Sequence, residues 1–144
     1  MRLRSFQLAD VHDVLRIWQM TASHQKERET LRVLYEQLAY DRDLVIVAEA
    51  PDQRVIGAIV GTIDKHTGFF YCLAVDPNFQ KQRVGTALVR ELEYRFLQKG
   101  VKRIWITVDK GTEKLLPFYQ YLGYSNTCST RLEKELFVSQ RCTG

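Results

Sequence analysis

The segment Gln80-Lys81-Gln82-Arg83-Val84-Gly85-Thr86-Ala87 combines long side-chain donors with small residues, directly before an apolar repeat of helical spacing. A helix that starts there leaves its first amide N–H groups without intrahelical acceptors, at the positive end of the dipole. A diphosphate is the natural ligand of such a start. Gly85 lets the backbone come close to phosphate oxygens, while Gln80, Lys81 and Arg83 bring side-chain donors, two of them charged. The segment lacks the Gly-Lys-Ser/Thr of a Walker loop and has one glycine where the dinucleotide fingerprint needs three. On these residues alone, an ordinary strand-to-helix loop with a solvated basic rim is an equal reading. No metal chemistry is expected: Cys72, Cys128 and Cys142 form no CxxC pair, and His12, His24 and His66 are scattered without ligand spacing.

The elements that must position this loop follow from periodicity. Val11, Val14, Leu15 and Trp18 recur at helical spacing behind Asp10 and Asp13, which supply a cap and a first-turn acid. Leu31, Leu34, Tyr35 and Leu38 predict one face of a second helix ending near Tyr40. From Leu44 the period changes to two: Leu44–Glu49 and Val55–Thr62 form a hairpin about the Pro51–Arg54 turn. A strand from Phe69 to Val75 follows a His66-Thr67-Gly68 turn and is stopped by Asp76-Pro77-Asn78. Beyond the loop, Leu88, Val89, Leu92 and Phe96 mark a long helix ending at Lys99-Gly100. Arg103–Val108 reads as a strand, and Leu115, Phe118, Tyr119 and Leu122 as a short helical face. Weaker strands are expected around Tyr124 and over Leu132–Val138. With a short first strand around Leu3, this order predicts an α/β (α+β) domain of three layers. Its central mixed sheet should hold about six to seven strands and be flanked by about four helices. The long helix crosses over between two parallel strands. With 144 residues, 45% of them hydrophobic, the chain suits a single domain over residues 1–144.

Two segments resemble the GNAT N-acetyltransferases. Leu73-Ala74-Val75-Asp76-Pro77-Asn78-Phe79-Gln80-Lys81-Gln82-Arg83-Val84-Gly85-Thr86-Ala87-Leu88 is similar to that family's acetyl-CoA-binding motif, Gln/Arg-x-x-Gly-x-Gly/Ala after a strand and an Asp-Pro turn. Phe118-Tyr119-Gln120-Tyr121-Leu122-Gly123-Tyr124 is similar to its second signature, Phe-Tyr-x-x-Leu-Gly-Phe/Tyr. Order and spacing agree as well, so the resemblance covers nearly the whole chain. It implies that acetyl-CoA is the cosubstrate and an amine, on a small molecule or a peptide, the acceptor. It further implies that backbone groups of Leu73 and Val75 hold the pantetheine arm and that the amides from Gln82 through Ala87 hold the pyrophosphate. Tyr119 falls on the tyrosine that protonates the leaving thiolate, a role that suits a phenol of ordinary pKa, about 10.

The departures are specific. The family's first loop glycine aligns with Arg83, which would be strained there if the position needs a positive φ. The frequent asparagine before the last helix aligns with Thr112, a shorter side chain that can cap a helix but reaches the pantetheine less well. Pro117 is unusual inside that helix, which should kink there or start late. No side chain stands out as the base that deprotonates the amine: Thr107 occupies a position where some relatives carry glutamate, and Asp64, His66, Glu49 and Asp109 are candidates only by their places at strand ends. A module that binds a CoA thioester without turnover is therefore the alternative reading. A nucleic-acid-binding domain is disfavoured, because acidic residues interrupt every basic stretch despite a net charge of +4. No apolar stretch approaches the roughly 20 residues of a membrane span, and the first ten residues carry charges where a signal peptide needs an apolar core. A cytoplasmic protein is expected, and a homodimer is compatible with the sequence.

Overall fold

The computed structural model describes residues 1–21, 32, 34–80, 82–106, 115–125, 132, 134 and 136, the side chains of residues 71 and 72 excepted. The chain falls into two compact units, Met1–Thr107 and Val108–Gly144. The first holds strand β1 (Arg2–Ser5), helix α1 (Val11–Thr21), helical residues 34–40 (α2), and strands β2 (Val45–Glu49), β3 (Val55–Asp64) and β4 (Thr67–Val75). Helix α3 (Val84–Gln98) and strand β5 (Arg103–Trp105) follow. Among the described residues the sheet has five strands in the order β1-β2-β3-β4-β5. The first three pairings are antiparallel, and β4 runs parallel to β5 with α3 as the crossover. The further strands expected around Tyr124 and over Leu132–Val138 lie largely outside the described residues.

Alternation along the strands sorts the core into two faces. Val45 and Val47 of β2 and Ala58 and Val60 of β3 join Phe6, Val14, Ile17, Trp18 and Leu34 in one buried cluster, so α1 and α2 cover this face. The opposite face carries Gly57, Gly61 and Gly68, and against it lie Val84, Leu88, Leu92 and Phe96 of α3, spaced four apart and all buried. A Cβ on Gly57 would sit 3.0 Å from Leu88 Cδ1. One on Gly61 would sit 2.8 Å from Leu92 Cδ1, and one on Gly68 2.8 Å from Phe96 Cε2. The glycines thus let the crossover helix approach the sheet more closely than any side chain would allow. The three-layer α/β fold expected from the element order is the fold found.

Several local expectations change. The β3–β4 turn is Lys65-His66, and Thr67 and Gly68 already belong to β4 because Asp64 pairs with Thr67. Leu34 and Leu38 of the expected α2 face pack on the core, but Tyr35 is 49% exposed, and Gln37 is buried in its place. Asp10 ends a short 3-10 turn ahead of α1, where its Oδ2 accepts the Gln7 N–H at 2.8 Å. Its carboxylate also receives Arg4 at 2.8 and 2.9 Å through two nitrogens, while Arg4 Nε reaches Glu49 Oε2 at 2.6 Å. One guanidinium therefore ties β1, the turn and β2 together. At its other end α3 is tied down by Arg95, which donates to Ser5 Oγ and Asp43 O, and by Lys99 beside Asp41.

Candidate functional site

Asp76 is the first residue past β4, and its N–H donates to Ile56 O at 2.8 Å, carrying the β3–β4 ladder one step beyond the strand. Pro77 cannot continue the ladder, so residues Pro77–Phe79 close into a 3-10 turn capped by Asp76 Oδ1, which accepts the Asn78 N–H at 2.9 Å. Gln80 folds back and donates from Nε2 to Val75 O at 3.2 Å. The chain then reaches Arg83, whose φ of 64 and ψ of 20 are left-handed, and turns directly into α3 at Val84. The positive φ that a glycine would supply is thus present at this position, on an arginine. The Ala87 N–H donates to Arg83 O at 3.0 Å and so belongs to the helical ladder. The amides of Val84, Gly85 and Thr86 at the helix start have no intrahelical acceptor. Gln82 and Arg83 are exposed, and Lys81 lies outside the described residues.

Among the described residues, β4 pairs with β5 at Thr67↔Arg103, Gly68↔Ile104 and Phe69↔Trp105, and the chain that follows Ile106 lies outside them. A bulge lies farther along β4: between the pairs Tyr71↔Val60 and Ala74↔Ala58, residues 72 and 73 of β4 face the single residue Ile59 of β3. The backbone of Leu73 and Val75 thus lies at the bulged end of a strand that leads to the start of α3. Val75 O, which already accepts from Gln80, keeps a second lone pair.

Of the carboxylates and the histidine weighed as bases, Asp64 and His66 are not gathered here. Glu49 is half-buried and held by Arg4. Asp64 and His66 lie at the β3–β4 turn, and at about 3.3 Å per residue the nine residues of β4 place that turn more than about 25 Å from the loop. Asp109, Thr107 and Thr112 lie outside the described residues. Sequence reasoning missed the ionic partners of the loop. Asp76, 1% exposed, accepts from Arg16 Nη1 of α1 at 3.2 Å, and Arg54 lies over the Phe79 ring with its guanidinium carbon 5.3 Å from the ring centroid. A carboxylate placed between an apolar strand and a proline was the one available signal.

In the second unit, helix α4 (Leu116–Tyr121) starts late, with Pro117 in its first turn where its missing N–H leaves no gap. It ends at Gly123, φ +100, where Tyr124 N–H donates to Tyr119 O at 3.0 Å and Gly123 N–H to Gln120 O at 3.0 Å. This is the Schellman arrangement, and the accompanying apolar contact is the edge-on pair of Tyr119 and Tyr124, centroids 6.1 Å apart. Phe118 packs edge-on against Tyr119 from the other side of the sequence, at 5.2 Å. The Leu-Gly-Tyr tail thus serves as a helix stop that also fixes the Tyr119 ring. Tyr119 is buried, and burial pushes its phenol above the ordinary value expected from sequence.

Among the described residues, no three His, Cys, Asp or Glu side chains are grouped as a metal site requires, and no helix is long and apolar enough to cross a membrane. A model of the acetyltransferase (GNAT) family matches residues 11–124. Acetyltransferase YE1169 of Yersinia enterocolitica is 27% identical over 140 residues, 97% of this chain and 99% of that protein. Among solved structures, glucosamine-6-phosphate N-acetyltransferase from Arabidopsis thaliana has a TM-score of 0.74 at 18% identity, covering 94% of this chain and 98% of that one. The PaiA N-acetyltransferase from Thermoplasma acidophilum, in complex with coenzyme A, has a TM-score of 0.72 at 17% identity, covering 90% and 92%.

Proposed function

Since the chain belongs to the acetyltransferase (GNAT) family, we propose that it transfers the acetyl group of acetyl-CoA to an amine, with Tyr119 as the general acid. The observation that carries this reading lies within one unit: a bulged strand end leads straight to a helix whose first amides lack intrahelical acceptors. A peptide-like pantetheine arm pairs with such a strand end through Leu73 and Val75, and a diphosphate suits the amides from Gln82 to Thr86. Gln80, Lys81 and Arg83 add donors around the phosphates, and Thr112, at the family's asparagine position, is a further group for the cofactor. The coenzyme A bound by the Thermoplasma relative fits the same class of donor.

In the reaction, a neutral amine nitrogen attacks the thioester carbonyl carbon, a C–N bond forms, and the C–S bond breaks as the tetrahedral adduct collapses. The departing thiolate takes the proton of the Tyr119 hydroxyl, which is replaced from solvent, and the nitrogen gives up its own proton to water. A phenol raised by burial stays protonated at neutral pH, as a donor must. The test is acetyl-CoA-dependent release of free thiol across polyamines, amino acids and N-terminal peptides, in the parent and in Tyr119→Phe. That substitution keeps the ring between Phe118 and Tyr124, so acetyl-CoA affinity should hold while the single-turnover rate falls roughly 10²-fold or more. An undiminished single-turnover rate would leave Tyr119 a packing residue. Binding of acetyl-CoA without thiol release on any amine would favour the non-catalytic module.

A further inference from the structure

Asp76 stands where the chain leaves the sheet for the loop, and each of its polar groups is engaged. Its N–H donates to Ile56 O, its carbonyl accepts from Phe79 N–H at 2.8 Å, and Oδ1 accepts from Asn78 N–H. Oδ2 accepts from Arg16 Nη1, and the same guanidinium reaches toward Val55 O with Nη2 at 3.5 Å. Burial alone would push this carboxyl up, but the Asn78 amide, Arg16 and Arg54 outweigh it and hold it ionised. Capping the turn needs only one carboxyl oxygen, a role that an asparagine fills as well. The buried negative charge does something else. It draws an arginine from α1, 60 residues earlier, across to the end of β4.

We propose that the Arg16–Asp76 ion pair is a positioning contact through which α1 sets the path of the loop that receives acetyl-CoA. The inference rests on the reading of the preceding subsection. The path matters because amides that grip a diphosphate act through geometry, and the segment between Val75 and the first amides of α3 is anchored at its start by this pair. Arg54 stacks on Phe79 in the same turn, so both guanidinium groups near Asp76 bear on the first residues of the loop.

The experiment compares the whole chain with Arg16→Gln, Arg16→Lys, Asp76→Asn and the double variant Arg16→Gln/Asp76→Asn. The dissociation constant for CoA is measured calorimetrically well below each melting temperature. Each neutralising single variant should weaken CoA about tenfold, the double variant should be no weaker than the worse single one, and Arg16→Lys should recover part of the loss. Unchanged affinity in Arg16→Gln, even with a lower melting temperature, would overturn the proposal, as would losses that multiply in the double variant. Asp76 is buried, so if Asp76→Asn does not fold, the comparison of Arg16→Gln with Arg16→Lys decides, because the Arg16 side chain is 40% exposed. A parent chain that binds no CoA would overturn the acetyl-CoA reading itself. Parent binding with unaltered variants overturns the positioning role alone.

Discussion

Arg83 breaks two local rules at one position. Its backbone is left-handed, which costs a residue with a Cβ about 1 to 2 kcal/mol, and its positive charge stands at the positive end of the α3 dipole. Replacing it with glycine removes both penalties and returns a smaller one in unfolded-chain entropy. Arg83→Gly should therefore stabilise the protein by about 1 kcal/mol, read as a higher urea midpoint with unchanged slope. The same variant should bind acetyl-CoA with a weaker dependence on salt, because one charge near the phosphates is gone. The conflict at this position was visible in the sequence, since the loop motif places a glycine where arginine stands. The pairing of Asp76 with Arg16 was not, because a bond between residues 60 apart depends on which face of α1 meets the sheet. Burial likewise decides the state of the Tyr119 phenol, and a motif carries no information about burial.

At the scale of elements, caps explain why helix ends were legible. α3 stops at Gly100, φ +84, with Val101 N–H donating to Phe96 O and Gly100 N–H to Leu97 O, the arrangement that also closes α4 at Gly123. Glycine at a helix end has a local meaning that sequence reveals. Glycine inside a strand does not: Gly57, Gly61 and Gly68 weaken the strand pattern, and only the approach of α3 gives them a purpose. Gly61→Ala places a Cβ 2.8 Å from Leu92 Cδ1 and 2.9 Å from Phe96 Cζ, so it should destabilise the fold by about 1 to 3 kcal/mol in urea unfolding. Adding Phe96→Leu should recover part of that loss, whereas an unrelieved double variant would place the strain elsewhere. The short α4 shows the converse case, in which Pro117, an apparent helix breaker, turns out to mark the start.

Over the whole molecule, buried carboxylates set the response to acid. Burial pushes Asp10 up, but Arg4 and the Gln7 amide outweigh it and hold it below the ordinary carboxylate value, and Asp76 is held low in the same sense. A carboxyl lowered in the folded state stabilises fully above its unfolded value, about 4, and that stability is lost as pH falls through the lowered folded value. Urea midpoints should be level from about pH 5 to 7 and fall below about pH 4, and Asp10→Asn should be less stable at neutral pH with a shallower acid decline. An equally steep decline in Asp10→Asn would assign the acid response to other groups. The order in which the sheet can assemble follows from its connections. β1 to β4 pair as antiparallel neighbours, and β2–β3 and β3–β4 need only short turns, whereas β4 meets β5 at a sequence separation of 36, Thr67 to Arg103, and only after α3 has docked. The bulged end of β4 and the amides of α3 therefore come together late, as products of a completed fold. A ligand that grips both has no foothold on earlier species, so its affinity should register in full as protection of the native chain against unfolding.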